Sequence, residues 1–490
     1  MRTIDLAVVA IYLIATIALG ITYRGRTGAV DEYFTARGMF RGRLGEILIG
    51  LSIAATFMSG ISIIVYVSAA YSDGAKIGLG LICLPIAWWV LIHWFLPRYL
   101  AAGGVHAYDV VERRFGYPVR VCLSVMFFLL RVGWMGVMLY VPTLIIIGST
   151  GLSPQWFWPI VLVIGLSSTV YTVIGGIRGV IVTDALQFIV IMGGMLLIVV
   201  LLLARLDLPW TALWADWAER GRLQVLDFSL DPTKSLTFWT VVLGISVANL
   251  GSYLADQMSL QRYLAAESIP AASRAFTVNA VGVAIVIVTL VLAGLLLSTW
   301  YQRHPDPTLP VKADHVLAFF IGRELPPGVA GVLIAAILAA TMSSMTSCIN
   351  SLAGIITTDW LVRWGRRRSA EESYRLGRWI SLLIGVGATL LAGFAENLGS
   401  VLDAQAKVMG AFLGPMLACL VLAVGRRERR GWTVLAGISA GVVAGWIVAA
   451  LPVASLWVPP VSFGVAMAVA AVFRPVAAEA LPPARGNTPT

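Results

Sequence analysis

Residues 47–62 read ILIGLSIAATFMSGIS, an apolar helical pattern interrupted by Ser52, Thr56, Ser59, Gly60 and Ser62. Serine and threonine hydroxyls bond to carbonyls of the preceding turn, and glycine weakens a helix, so the pattern marks a place where a helix can break. A break frees carbonyl oxygens that can coordinate a cation. Small residues at this spacing also serve close helix packing, and the stretch alone leaves both readings open. A second run, AATMSSMTSCINS at 339–351, sets Ser343, Ser347 and Ser351 on one face by four-residue spacing, with Ser344 beside them. Oxygens that are hard and uncharged suit a small monovalent cation. Structural hydrogen bonding is the alternative.

Both runs lie in a chain with very little charge. Of its 490 residues 59% are hydrophobic and 12% charged, and the mean hydropathy is +0.87. Soluble domains hold about 25% charged residues, so a soluble enzyme, a nucleic-acid binder and a disordered scaffold all fit poorly. A bilayer crossing needs about 20 mostly apolar residues. Thirteen such runs are present, near 4–24, 44–72, 77–97, 119–149, 155–175, 179–204, 236–261, 276–300, 328–357, 379–396, 400–424, 432–451 and 460–473. The first has no cleavage site for a signal peptide and reads as a retained helix.

The formal charge of +10 is an orientation signal. With the N-terminus outside, the inner segments hold 24 Lys and Arg and the outer segments 9, leaving Arg131 and Lys407 within predicted helices. Basic residues collect on the cytoplasmic side. The expectation is therefore a multi-pass protein of the cell membrane, with its N-terminus outside, its C-terminus cytoplasmic and no nucleic-acid partner. No soluble domain is evident, and the Pro- and Ala-rich tail 475–490 reads as disordered.

The chain has no GxxxxGK[ST] phosphate loop. Its four histidines are scattered and its four cysteines match neither a disulfide framework nor a zinc site. A primary pump and a metalloenzyme are disfavoured, and polar residues inside helices point instead to a solute or ion path. Asp184, with Gln187 one turn on, follows the GGIRG turn at 175–179, and either pairs with Arg178 or faces a cation path. Arg131 costs at least a few kcal/mol in mid-helix unless paired or watered. Its options are an acid on another helix, an anionic solute for which its planar fork is suited, or snorkelling to the inner surface. Lys407 has Asp403 four residues before it.

At these residues the sequence resembles the sodium:solute symporter family. The pieces run in the family's order from Glu32-Tyr33-Phe34 and Arg37-Gly38 through Ser52 and Ala55–Ser59 to Ala107-Tyr108, Glu112, Arg114 and Phe115. Tyr171, Gly175-Gly176, Thr183-Asp184 and Gln187 follow, then Asp256-Gln257, Gln261–Tyr263, Ala339–Ser344, Asn350-Ser351, Asp359 and Gly414-Pro415. The resemblance implies an all-α integral membrane protein of about thirteen transmembrane helices. Its core would be a LeuT-type five-plus-five inverted repeat at 44–204 and 236–424. A helix and inner loop (1–43) would precede the core and two helices (425–474) follow it. The second broken helix would be interrupted at Asn249, Gly251 and Ser252.

By the same resemblance, the principal sodium ion would sit on main-chain oxygens of Ala55, Met58 and Ala340 and hydroxyls of Ser343 and Ser344. A second sodium, held by some members, maps to Asp184, Ser343, Thr346 and Ser347. The solute would meet Phe57, Ser59, Ser62, Arg131, Asn249, Tyr253 and Gln257. The acidic residue of the family's sugar carriers has no equivalent in 77–97, and Phe57 stands where its proline carriers have aspartate. The expected function is sodium-coupled import of a small carboxylate-bearing anion by alternating access, not enzymatic catalysis. Its partners are sodium, the solute and the lipid bilayer. A neutral sugar or amino acid as solute, or a sensor or channel on the same fold, are the alternatives.

Overall fold

The computed structural model describes residues 3–23, 33–34, 40–104, 108–361, 369–397, 401–427 and 429–472. The tail 475–490 and the motif residues Glu32, Arg37, Gly38 and Ala107 lie outside this set, as does the side chain of Asp403, the expected partner of Lys407. Among the described residues all regular structure is helical, as lipid requires, because a helix satisfies its backbone hydrogen bonds within one segment. The α-helices of seven residues or more are α1 (Thr3–Thr22), α2 (Gly42–Phe57), α3 (Gly60–Asp73), α4 (Cys83–Trp89), α5 (Asp109–Phe115), α6 (Tyr117–Thr150), α7 (Phe157–Leu206) and α8 (Trp210–Glu219). They continue with α9 (Ser246–Leu254), α10 (Gln257–Ala265), α11 (Ile269–Arg303), α12 (Val316–Glu324), α13 (Val329–Ile355), α14 (Ala370–Leu391), α15 (Val401–Val424), α16 (Gly431–Ala450) and α17 (Val458–Val472).

Ten stretches among the described residues are long and apolar enough to cross a bilayer. Two of them, Gly60–Ala101 and Pro154–Leu206, contain parts of two passes each. The π-helical turn Thr240–Ile245 followed by α9 and α10 adds another, so the passes agree with the thirteen expected. The two passes within α7 meet at Gly176, whose φ of 57° and ψ of −161° turn the chain back. Only glycine takes that conformation without strain. A Cβ there would also lie 2.7 Å from the Tyr33 ring. Carbonyls freed at the bend are capped: Tyr33 Oη donates to Thr172 O (3.3 Å) and Val173 O (3.2 Å), and Arg378 Nε donates to Val173 O (3.1 Å).

Two passes are broken in mid-course. α2 stops at Phe57, Met58 leaves the helix at φ −89° and ψ 79°, and Ser59 starts α3 by accepting from Ser62 N. The second break falls at Ala255–Asp256, later than the expected Asn249–Ser252, which remain inside α9. The reason is local: Asp256 is a strong N-cap, its Oδ1 accepting from Met258 N at 2.9 Å. Both breaks face α13, which is buried without exception from Leu333 to Ile355. Close approach fixes the first break against it, since a Cβ on Gly60 would lie 2.5 Å from Thr341 Oγ1 and 2.9 Å from Pro142 Cγ. α1 packs outside this core, with Gly175 and Gly179 of α7 admitting the Gly20 carbonyl. Asp5 Oδ1 accepts from Gly328 N (2.8 Å) and Gly331 N (2.9 Å) where α13 begins. A carboxylate is favoured there by the helix dipole.

Candidate functional site

Four helices meet in a buried polar knot. Asp184 of α7 and Arg262 of α10 are both fully buried and form an ion pair, Arg262 Nη2 donating to Asp184 Oδ2 at 2.8 Å. Ser52 Oγ of α2 donates to the same Oδ2 at 2.7 Å, and Ser343 Oγ of α13 donates to Oδ1 at 2.8 Å. Arg262 also donates from Nε to Ser52 Oγ (2.7 Å), from Nη1 to Met258 O (2.7 Å) and from Nη2 to Ser347 Oγ (2.6 Å). A buried ion pair is tolerated when its remaining donors and lone pairs are satisfied, and these are. Asp184 therefore pairs with Arg262 and not with Arg178. Three of the four residues expected around a second cation, Asp184, Ser343 and Ser347, are gathered here, with a guanidinium in their midst. Thr346 turns its hydroxyl back to Ser343 O at 3.0 Å.

Next to the knot, the end of α2 is laced to α13. Thr56 Oγ1 lies 3.0 Å from Ser347 Oγ, and Ser344 Oγ donates to Thr56 O at 3.3 Å. Ala55, Met58, Ala340, Ser343 and Ser344, the residues expected at the principal cation site, are all buried on these two elements. The break thus brings the carbonyls at the end of α2 alongside a face of serine hydroxyls, an all-oxygen environment for a hard cation.

A cavity of about 130 Å³ opens between the two breaks. Six of the expected solute contacts line it: Phe57, Ser59, Ser62, Arg131, Asn249 and Tyr253; Gln257, although buried, does not. The Phe57 and Tyr253 rings, one from each broken pass, stack with centroids 3.9 Å apart. Asn279 Nδ2 donates to Tyr253 Oη at 3.3 Å, and Asn249 Nδ2 to Cys83 Sγ at 2.9 Å. Met58 and Ser344 belong to both the cavity wall and the expected cation site.

Among the described residues, two charged side chains line this cavity, Arg131 of α6 and Asp256 at the second break, and they form an ion pair. Snorkelling is excluded, because Arg131 is 5% exposed and its partner 1%. Of the readings open for Arg131, an acid on another helix is the one observed, and the pair lies in the wall of this cavity. Residues absent from the expected set are Asp256, Arg262, Tyr66, Cys83 and Ser252. The first two carried a signal in the sequence, since each is a charge within or at the edge of an apolar run, a placement that demands a partner. A second cavity of similar size shares Ser62, Tyr66, Asn249, Ser252 and Met409 with the first. It continues to Ile77, Leu456 and Pro459, at the end of the molecule that carries the 205–235 segment.

A sequence model of the sodium:solute symporter family matches residues 33–431. Among characterised proteins, the chain is 28% identical to the sodium/sialic acid symporter NanT of Aliivibrio fischeri, over 88% of this chain and 85% of that protein. It is also 28% identical to the human sodium/iodide cotransporter, over 89% of this chain and 68% of that one. Among solved structures, a Na⁺-coupled sialic acid symporter in a substrate-bound outward-open state aligns with a TM-score of 0.88 and 25% identity. That alignment covers 98% of this chain and all of the other.

Proposed function

The chain belongs to the sodium:solute symporter family, and from that premise we propose that it imports a small carboxylate-bearing solute together with sodium by alternating access. The observation that carries this reading is the neutral Arg131–Asp256 pair in a cavity whose wall includes Met58 and Ser344. A carboxylate entering this cavity adds one uncompensated negative charge in a medium where charge is costly. A sodium ion on Ala55, Met58, Ala340, Ser343 and Ser344 returns the site to neutrality. Each ligand thus lowers the electrostatic cost of the other, which is a reciprocal coupling free energy. Sodium would also tie α2 to α13 and favour the state that accepts solute.

In this reading 44–204 and 236–424 are the two repeats, and the N-terminus and the 205–235 segment lie outside. The two cavities share lining residues and run toward that side, which supports an outward-facing state. A second sodium at Asp184, Ser343, Thr346 and Ser347 would have to compete with Arg262 for Asp184. The relatives that carry sialic acid support a carboxylate solute, while the iodide carrier supports an anion of another kind.

The test is uptake into proteoliposomes with an inward sodium gradient, using radiolabelled pyruvate and sialic acid as probes. Wild-type uptake should saturate and require sodium. Ser343→Ala combined with Ser344→Ala should abolish the sodium requirement or the uptake while leaving the folded protein intact. Sodium-driven uptake unchanged in that double variant would sink the cation assignment.

A further inference from the structure

Asp256 occupies the position that a solute carboxylate would take on Arg131. It is held from both sides: its Oδ1 caps α10 through Met258 N, and its Oδ2 pairs with Arg131. Beside it, Tyr108 Oη donates to Ala255 O at 3.2 Å, using a carbonyl that the break has freed. These two links tie the start of α10, the inner half of the second broken pass, to α6 and to the segment leading into α5. Arg131 is only partly engaged, because its Nε is buried with no hydrogen-bond partner. The guanidinium fork offers five donors, and a free carboxylate can take two of them in parallel. Asp256, constrained by its capping bond, spans only one.

From this we propose that Asp256 is a tethered stand-in for the solute, and that a solute carboxylate displaces it from Arg131 and thereby releases α10 from α6. The inference rests on the carboxylate reading of the cavity and adds the step by which solute binding is transmitted to the inner half of the molecule. With the cavity empty, the pair keeps Arg131 neutralised and the inner half closed. With solute on Arg131, Asp256 keeps its cap on α10 but loses its hold on α6, so one of the ties that restrain α10 is released. Sodium alone leaves this tie in place, which prevents a sodium leak.

Two substitutions break the same pair with opposite consequences for the ligand. Asp256→Asn keeps the size and the N-cap but frees Arg131. It should tighten pyruvate or sialic acid binding in sodium by about tenfold, the scale of one charge-assisted hydrogen bond regained. Arg131→Gln should lose that binding. In hydrogen–deuterium exchange on the full chain in sodium without solute, both variants should expose the amides of 257–265 faster than wild type. Simple destabilisation would move binding the same way in both variants, and that result overturns the proposal. Binding to wild type with unchanged exchange in both variants would overturn the tie while upholding the carboxylate reading. A wild type that binds neither acid, with faster exchange in both variants, would overturn that reading and uphold the tie.

Discussion

At the scale of single residues, two of the buried guanidinium–carboxylate pairs bear on the candidate site. Arg262–Asp184 knots four helices together, and Arg131–Asp256 lies at the cavity wall. Removing one member of a buried pair leaves an uncompensated charge and costs about 3–5 kcal/mol, whereas replacing both with apolar groups is often neutral. Arg262→Met should therefore lower the thermal unfolding temperature in sodium-free detergent solution, and Asp184→Leu combined with Arg262→Met should recover most of the loss. A double variant no more stable than the single would show that the knot is held by its serine hydrogen bonds. The sequence showed that Asp184 and Arg131 needed partners but could not supply them. Arg262 and Asp256 lie far along the chain, beyond any rule of helical spacing, and Arg178, the acid's near neighbour, is not its partner.

At the scale of elements, the break in the 47–62 stretch left a local mark, the Ser59 cap, while the close approach of Gly60 to α13 is a tertiary contact. The second break was misplaced by a few residues because the polarity of Asn249 and Ser252 serves the cavity while the cap is Asp256. Gly251 admits the backbone and side chain of Leu413, so its small size answers packing. The bend at Gly176 is the clearest case of a glycine fixed by both conformation and space. Gly176→Ala should cost about 1–3 kcal/mol, the scale of a strained backbone position, and displace the Tyr33 ring. Thermal unfolding of the purified variant would check this, and a melting temperature equal to wild type would count against the bend being strained for alanine.

At the scale of the whole molecule, the division of basic residues predicts an N-terminus on the outside. A cysteine placed at the fully exposed Val311 should react with a membrane-impermeant thiol reagent on intact cells. One placed at Arg375, whose side chain is 71% exposed, should react only after permeabilisation. The reverse pattern would invert the topology. The sequence by itself determined the membrane solvent, the thirteen passes and the family, and marked where the first helix could break. These follow from composition, run length and capping, which act over at most a few turns of chain. Only the tertiary structure decided where the buried charges went. It placed Arg262 among the oxygens expected for a second cation and Asp256 on the arginine expected for the solute. In a medium without water each buried charge must find an opposite one, and which partner is in reach depends on how distant passes pack around α13.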